Sequence, residues 1–180
     1  MSKLSFYNKD DVKISYRYYK RSKKTLIFLH GLLSDMSGKK SNFLNNYCKK
    51  NKISYLCFDF QGHGRSSGEF TNFGISDWYN DLDNIIKYLK IKNFILVGSS
   101  MGGWVAIIYA LIHPRKVTKL IGIAPAPDFT TKLIWKNFNT HQKNKIKNNK
   151  IVKQKVSSDF NYYYSPALFK RSKYYLIEKI

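Results

Sequence analysis

Short apolar runs and helical patterns alternate along most of the chain. Four runs, at residues 25–29, 54–58, 93–97 and 120–124, are almost wholly apolar and show no polar alternation. Runs of this kind are typical of parallel strands that are covered on both faces. Residues 14–19 alternate instead, which predicts a half-buried antiparallel strand before the first of these runs.

Helical periodicity fills the gaps between the predicted strands. Apolar residues recur at three- and four-residue steps from Ile75 to Leu89, with acidic residues between them, and this pattern predicts an amphipathic helix. Residues 101–112 are apolar nearly all round, which predicts a helix packed inside the fold. Alternating strands and helices indicate the α/β class with a doubly wound, mostly parallel sheet, whose sites form at the carboxyl ends of the strands.

The pattern changes after residue 128. Residues 132–155 contain eight lysines and no acidic residue, and their apolar residues are too sparse for a firm helical stripe. We therefore interpret residues 1–128 as a core with strands one to six and residues 129–180 as a lysine-rich cap or lid. Within the cap, residues 162–166 predict a turn, and residues 167–180 predict a helix.

The charge of the chain adds one open alternative. Its 180 residues include 32 lysines and arginines against 11 acidic residues, a net charge of +21, which would suit a polyanionic partner. Most of these cations are lysines scattered over the whole chain, without a stacking motif or a helix-turn-helix pattern, so nucleic acid is not predicted as a partner. A polyanion contact through Lys132 to Lys155 stays as an alternative.

Cysteines and hydropathy bear on the compartment. Cys48 and Cys57 lack the Cys-x-x-Cys spacing of a metal or redox site, and two thiols cannot form the disulfide framework of a small secreted domain. No apolar run reaches the roughly 18 residues of a membrane span, and the first 24 residues show no signal-peptide core. These observations predict a cytoplasmic protein without a membrane span.

The strongest candidate for chemistry is a serine between two glycines. The string Gly98-Ser99-Ser100-Met101-Gly102 follows a predicted strand and precedes a predicted helix, which is the context of a nucleophile elbow. The spacing singles out Ser100 as the nucleophile, because Gly98 and Gly102 relieve collisions two residues to either side of it. Taken alone, the motif is also compatible with a glycine-rich turn that binds a phosphate at the helix N-terminus.

Two further motifs follow neighbouring strands. His30-Gly31-Leu32-Leu33 comes directly after residues 25–29, and an Asp-x-x-Gly-x-Gly-x-Ser string begins at Asp59. Together and in this order, the three motifs resemble those of the α/β-hydrolase family. The strings at residues 30–38, 98–104 and 113–124 resemble the group around alpha/beta-hydrolase-domain-containing protein 10, an acyl-protein thioesterase. The resemblance covers about residues 14–130.

The resemblance implies a serine hydrolase that cleaves a carboxylic ester or thioester through an acyl-enzyme on Ser100. Its substrate would be a small molecule or an acyl-protein, and the reaction would need neither a metal nor an organic cofactor. The backbone N–H groups of Leu32 and Met101 would bind the developing oxyanion. The motif residues His30, Gly31, Gly98 and Gly102 would shape the turns around them.

The motifs leave the general base unassigned. Family members carry the triad acid and histidine on strands well beyond the elbow. Only 80 residues follow Ser100, so we expect a fold that is truncated after the sixth strand and the cap, with the sixth strand as an exposed edge. The alternative to an enzyme is a non-catalytic fragment or pseudoenzyme that acts as a binding module.

None of the four histidines is assigned as the base. His113 would lie about 20 Å from Ser100, at the far end of a helix that rises 1.5 Å per residue. The resemblance assigns His30 and His63 to structural turns. His141 falls in the lysine-rich cap, where a solvated side chain is expected.

Two aspartates are candidates for the triad acid. Asp128 follows the sixth strand, a position that some hydrolases use for the acid, but we prefer Asp128 as the cap of the next helix. We expect Asp59 to fix its own loop through backbone hydrogen bonds.

Overall fold

A six-stranded sheet organises the chain. The computed structural model describes residues 3–155, 158 and 161–177. The strands of the sheet are β1 (Leu4–Lys9), β2 (Val12–Tyr19), β3 (Thr25–Leu29), β4 (Ser54–Phe58), β5 (Phe94–Ser99) and β6 (Val117–Ile123). Their order is β1-β2-β4-β3-β5-β6, in which β4, β3, β5 and β6 run parallel while β1 and β2 are antiparallel to their neighbours. The predicted fold class is confirmed.

Helices cover both faces of this sheet, as the unbroken apolar strands require. Helix α1 (Lys39–Lys50) packs on one face, over a cluster that includes Phe28, Cys48 and Val97. Helices α2 (Ile75–Tyr88) and α3 (Met101–Ile112) lie on the other face, where Trp78 and Trp104 are fully buried. Burying one large apolar side chain contributes about 1.5–3 kcal/mol, so these two layers supply most of the driving force for folding.

Helix α2 confirms the predicted amphipathic pattern with one exception. Its apolar stripe is buried, but so is Asp81, which is only 1% exposed. The Asp81 carboxylate accepts a hydrogen bond from the Gln61 backbone N–H at 2.8 Å. Burial raises the pKa of Asp81 to about 8, an effect that the Gln61 hydrogen bond only partly offsets.

The segment after β6 contains regular elements that its sparse apolar pattern did not predict. A π-helix spans Thr130–Trp135, α4 spans Thr140–Lys147, and strands β7 (Val152–Lys155) and β8 (Asn161–Tyr164) form an antiparallel pair. The turn predicted at residues 162–166 is wrong, because Tyr164 belongs to β8 and its ring packs 5.6 Å from the ring of Phe138. Aromatic contacts of this kind stabilise elements that are too short to show a helical stripe.

The C-terminal helix is shorter than predicted. Helix α5 spans Pro166–Ser172, and the Ser165 hydroxyl caps it by accepting the Leu168 N–H at 3.2 Å. A 3₁₀ turn continues to Tyr175, and residues 178–180 of the predicted helix lie outside the described residues. Helix α5 and the π-helix share the hydrophobic cluster of α2 and α3. The division at residue 128 stays a prediction.

Strand β6 is an open edge of the sheet within the described part of the chain. It pairs with β5 alone, and its central residues 118–122 are exposed. Leu120 and Ile121, which point to opposite faces, are 42% and 47% exposed. The predicted exposed edge is confirmed, and Leu111 and Ile112 in the last turn of α3 are exposed as well. Helix α3 is therefore buried along most of its length but not at its end.

Among the described residues, no helix has both the length and the apolar character needed to cross a bilayer.

We expect Asp81→Asn to stabilise the protein at high pH. The pKa of Asp81 is raised from 3.8 in the unfolded chain to about 8, so the unfolded state releases a proton that the folded state retains between those values. The free energy of unfolding should therefore fall as pH rises through this window. Asparagine has no such proton to lose. The free energy of unfolding of Asp81→Asn should therefore exceed that of the wild type by about 2–4 kcal/mol at pH 9 and by little at pH 4.

Urea denaturation at pH 4, 7 and 9 measures this difference. The exposed Asp11 provides the matched control Asp11→Asn, which should follow the wild-type curve. A pH dependence of stability that is the same in Asp81→Asn and the wild type would contradict the buried, protonated carboxyl.

Candidate active site

Ser100 occupies the sharp turn between β5 and α3. Its backbone has φ 51° and ψ −118°, a left-handed conformation that favours glycine. Its N–H donates to the Ile123 carbonyl at 3.1 Å, and its carbonyl accepts the N–H of Gly103 at 2.9 Å and of Ala126 at 3.1 Å. Such a conformation costs about 1–3 kcal/mol and persists only where the surrounding bonds enforce it. The turn thereby presents the Ser100 side chain at the carboxyl edge of the sheet.

The two motif glycines are required by the close approach of neighbouring backbone. A Cβ at Gly98 would collide with the carbonyl oxygen of Gly102, and a Cβ at Gly102 would collide with the carbonyl oxygens of Leu29 and His30. The start of α3 therefore packs directly on the end of β3. Any side chain at position 98 or 102 would separate these elements and move Ser100.

Gly31 brings the turn after β3 against Ser100. A Cβ at Gly31 would lie 3.3 Å from the Ser100 Cβ and 3.9 Å from the Ser100 Oγ. His30 supports this turn from the interior. Its Nδ1–H donates to the Gly31 carbonyl at 2.8 Å, and its Nε2 accepts the Phe60 N–H at 3.2 Å, a pattern that assigns the neutral tautomer. Burial lowers the pKa of His30 to about 4, in agreement with the structural role predicted for it.

Two backbone amides next to Ser100 are free to donate hydrogen bonds. Leu32 and Met101 line the same cavity as Ser100. Among the described residues, neither N–H donates a hydrogen bond to a partner. Met101 is the first residue of α3, where the amides have no partner within the helix. This arrangement is compatible with the predicted oxyanion-binding role of both residues.

The cavity beside Ser100 is apolar. It has a volume of about 180 Å³, and none of the described residues that line it is charged. Its other walls come from the segment after β6 and are formed by Ala126, Phe129, Leu133, Ile134, Tyr162 and Tyr164. The sequence did not single out these residues, because only the fold of residues 126–164 brings them to Ser100.

The structure brings none of the four histidines into this cavity. All four lie in the described part of the chain, and none of them lines the space beside Ser100. His113 follows α3 at the end opposite Ser100 and forms a hydrogen bond of 3.0 Å with the Tyr79 hydroxyl. His141 is exposed on α4. Both positions agree with the sequence analysis.

His63 lies in the interior among aromatic rings. It packs against Phe70 and Trp78, and its Nδ1 lies 3.2 Å from the Gln61 carbonyl. Its Nε2 has no hydrogen-bond partner among the described residues. Burial lowers the pKa of His63 to about 4, so the ring is neutral at physiological pH.

Asp59 has the structural role that the sequence predicted. One carboxylate oxygen accepts the Met36 N–H at 2.7 Å, and the other accepts the Arg65 N–H at 2.9 Å and the Ser15 hydroxyl at 2.7 Å. Asp59 thus fixes its own loop and connects it to β2 and to the turn before α1. These contacts occupy both carboxylate oxygens.

The prediction that Asp128 caps the next helix is wrong. The backbone of Asp128 is left-handed, with φ 54°, and its side chain does not bond the following amides. Instead, one carboxylate oxygen accepts the Ile177 N–H at 2.8 Å, and the other pairs with Lys132 at 3.0 Å. Asp128 therefore holds the C-terminal segment on the core, and no contact joins it to Ser100.

The arrangement of strands, turns and flanking helices matches a known protein family. A family model of the alpha/beta hydrolase fold matches residues 24–168. The chain belongs to the α/β-hydrolase family. The mitochondrial palmitoyl-protein thioesterase ABHD10 of Rattus norvegicus is 36% identical over 126 residues, a region that covers 69% of this chain and 42% of that protein. The match thus spans less than half the length of this curated relative.

Solved structures also support the assignment of this chain to the α/β-hydrolase family. A candidate hydrolase from Agrobacterium vitis S4 superposes with a TM-score of 0.85 and 27% identity, over 98% of this chain and 72% of that one. Alpha/beta hydrolase domain-containing protein 10 from mouse gives a TM-score of 0.82 and 28% identity, over 98% and 71%. The name of the rat relative places that protein in mitochondria. For this α/β-hydrolase, the cytoplasmic location stays a prediction.

We expect Gly102→Ala to destabilise this α/β-hydrolase by about 2 kcal/mol or more, because the new methyl group would meet backbone carbonyls that cannot move aside. Gly38→Ala is the matched control. Its φ is −63° and its new Cβ would have no neighbour closer than 3.6 Å, so the free energy of unfolding should fall by no more than about 1 kcal/mol, the cost of replacing glycine at a helix N-cap. Urea denaturation measures both, and equal effects would argue against the close packing of α3 on β3.

Replacement of Ser100 itself tests the strained turn. Ser100→Gly should raise the free energy of unfolding by about 1 kcal/mol, because glycine adopts φ 51° without steric cost and the relief exceeds the extra entropy of the unfolded chain. Ser100→Ala keeps the strain and should change stability little, since the hydroxyl bonds no described residue. A Ser100→Gly protein less stable than Ser100→Ala in the same denaturation assay would contradict the strain.

Proposed function

We propose that this chain supplies the nucleophile, the oxyanion-binding amides and the acyl-binding wall of an ester or thioester hydrolase. The observation that carries the proposal is the Ser100 hydroxyl at a strained turn, in an apolar cavity that it shares with the free amides of Leu32 and Met101. A hydroxyl that lines a cavity beside two free amides is the arrangement that acyl transfer requires.

In the proposed reaction, the Ser100 Oγ attacks the carbonyl carbon of the substrate and gives its proton to a general base. The electron pair of the C=O double bond moves to the oxygen, and the N–H groups of Leu32 and Met101 bind the resulting oxyanion. As this intermediate collapses, the protonated base gives its proton to the departing oxygen or sulfur, so the alcohol or thiol leaves and an acyl group stays on Ser100. Water then attacks this ester while the base takes a proton from it, and the base returns that proton to the Ser100 Oγ as the carboxylic acid leaves. Removing one oxyanion donor from such a site typically costs about 10²- to 10³-fold in rate.

The general base stays unassigned among the described residues. A neutral hydroxyl must lose its proton during the attack. Among the described residues, no side chain accepts a hydrogen bond from the Ser100 Oγ, and the nearby His30 uses both ring nitrogens within the fold. Activity of this chain therefore depends on a proton acceptor that these residues do not provide.

The apolar cavity favours an aliphatic acyl group as the part of the substrate that binds. Its walls offer Phe129, Leu133 and Ile134, while a charged substrate would lose hydration there without a compensating partner. The similarity to a palmitoyl-protein thioesterase supports an acyl thioester, and an acyl-protein or a small-molecule ester both fit this chemistry.

One observation favours a second candidate function, a non-catalytic binding module. The Ser100 Oγ has no hydrogen-bonded base among the described residues, which is the state expected of a pseudoenzyme. Its free amides and apolar cavity would then hold an acyl group without cleaving it.

Labelling with a fluorophosphonate separates the two functions. We expect the full chain to gain one phosphonyl group by intact mass, the Ser100→Ala variant to gain none, and Ser76→Ala, the matched serine change on α2, to label as the wild type does. Added imidazole should speed labelling of the wild type by about tenfold or more, because it supplies the proton acceptor.

Two results would count against the enzyme. Labelling of Ser100→Ala at the wild-type rate would refute Ser100 as the nucleophile. Absence of labelling in the wild type, even with imidazole, would leave the binding module as the function of the chain.

A further inference from the structure

A second cavity lies next to the Ser100 turn, on the other face of the sheet. It has a volume of about 80 Å³ and is bounded by the turn after β3, by the start of α1 and by the end of β5. The volume equals that of two or three water molecules, at roughly 30 Å³ each, so only a ligand group of a few heavy atoms fits. About half of its lining surface is polar, and the residues that contribute to it include Ser34, Asp35, Lys39, Lys40, Ser41 and Ser99.

The first turn of α1 makes one wall of this cavity strongly electropositive. The residue before the helix is Gly38, which has no side chain to cap it, and the first turn contains no acidic residue. Among the described residues, the N–H groups of Lys39, Lys40 and Ser41 donate no backbone hydrogen bond. The positive end of the helix dipole therefore coincides with two lysine side chains, an arrangement that a bound anion would stabilise.

Ser99 supplies an independent observation on the opposite wall. Side chains alternate along β5, and Val97 packs in the α1 cluster, so the Ser99 side chain points to the same face of the sheet. Ser99 is only 7% exposed, and its hydroxyl has no hydrogen-bond partner among the described residues, although it lines the cavity. The hydroxyl is open to the cavity, and a ligand there would give it a hydrogen-bond partner.

One acidic residue borders the cavity without filling it. The Asp35 carboxylate turns back to the N–H and hydroxyl of Ser37. These bonds lower the pKa of Asp35 and keep its charge on the rim. Around this cavity, two lysines and three free amides therefore outnumber a single carboxylate.

We propose that this cavity binds a phosphate-type oxyanion, either inorganic phosphate or the phosphoryl group of a phosphomonoester. The free amides of α1, the lysines Lys39 and Lys40 and the hydroxyl of Ser34, which lies beside Gly38, would donate from one side. The hydroxyl of Ser99 would donate from the other. A tetrahedral oxyanion accepts hydrogen bonds from several directions at once, which suits donors on opposite walls. The inference does not depend on the chemistry at Ser100.

Unfolding of the full chain in phosphate measures the binding, because a ligand that binds the folded state raises the free energy of unfolding in proportion to the logarithm of its concentration. Sodium chloride at equal ionic strength is the control, because it screens the charge of +21 to the same extent as phosphate does. We expect phosphate to stabilise the wild type beyond chloride. The double variant Lys39→Gln/Lys40→Gln should weaken the phosphate affinity about tenfold or more, and Ser99→Ala about threefold to tenfold.

The two ends of α1 provide a matched control. Lys49→Gln/Lys50→Gln removes the same charge from the same helix, but at its C-terminus, and it should keep the wild-type phosphate affinity. The same measurement with glycerol 3-phosphate identifies the source of the oxyanion. An affinity equal to that for phosphate assigns a phosphomonoester as the ligand. A weaker affinity assigns free phosphate. The proposal is overturned if phosphate stabilises the wild type no more than chloride does, or if both double variants lose affinity equally.

Discussion

The close approach of α3 to the end of β3 is the constraint on which the site depends. Gly102 lies directly on the carbonyl oxygens of Leu29 and His30, and this contact sets how closely α3 can approach the end of β3. Because the chain must turn from β5 into α3 within one residue, Ser100 takes a left-handed backbone conformation. The same contact sets Gly31 against the Ser100 side chain. The positions of the hydroxyl and of the free amides follow from this packing.

Buried polar groups hold the loops around this packed edge. His30 bonds the turn after β3 to the loop after β4 through Gly31 and Phe60, and Asp59 bonds that loop to the turn before α1. Each of these hydrogen bonds replaces water that burial has removed, so losing one partner would leave a costly unsatisfied group. These hydrogen bonds therefore connect the motif loops after β3 and β4, although the two motifs are distant in sequence.

The sequence predicts the parts of this structure that depend on local pattern. Unbroken apolar strands, the amphipathic α2 and the Gly-x-Ser-x-Gly turn are recognisable because neighbouring residues determine them. The sequence does not predict the partner of Asp128 or the burial of Asp81, because each depends on a residue distant in the chain. It also does not predict the β7 and β8 pair, in which Tyr164 packs on Phe138. Asp128 illustrates the difference: its position before a helix suggests a cap, while its actual partner, Ile177, is 49 residues away.

Two adjacent serines acquire different surroundings because side chains alternate along a strand. The Ser99 hydroxyl points to the α1 face and lines a small cavity with lysines and free amides, whereas Ser100 begins the turn and lines an apolar cavity on the other face. Total charge gave no information about either cavity, since lysines are scattered over the whole surface. The anion-binding proposal rests on geometry instead. Lys39 and Lys40 lie at the positive end of α1, whose first turn contains no acidic residue. The same sheet edge can therefore separate an anionic ligand from an apolar acyl group by the thickness of one strand.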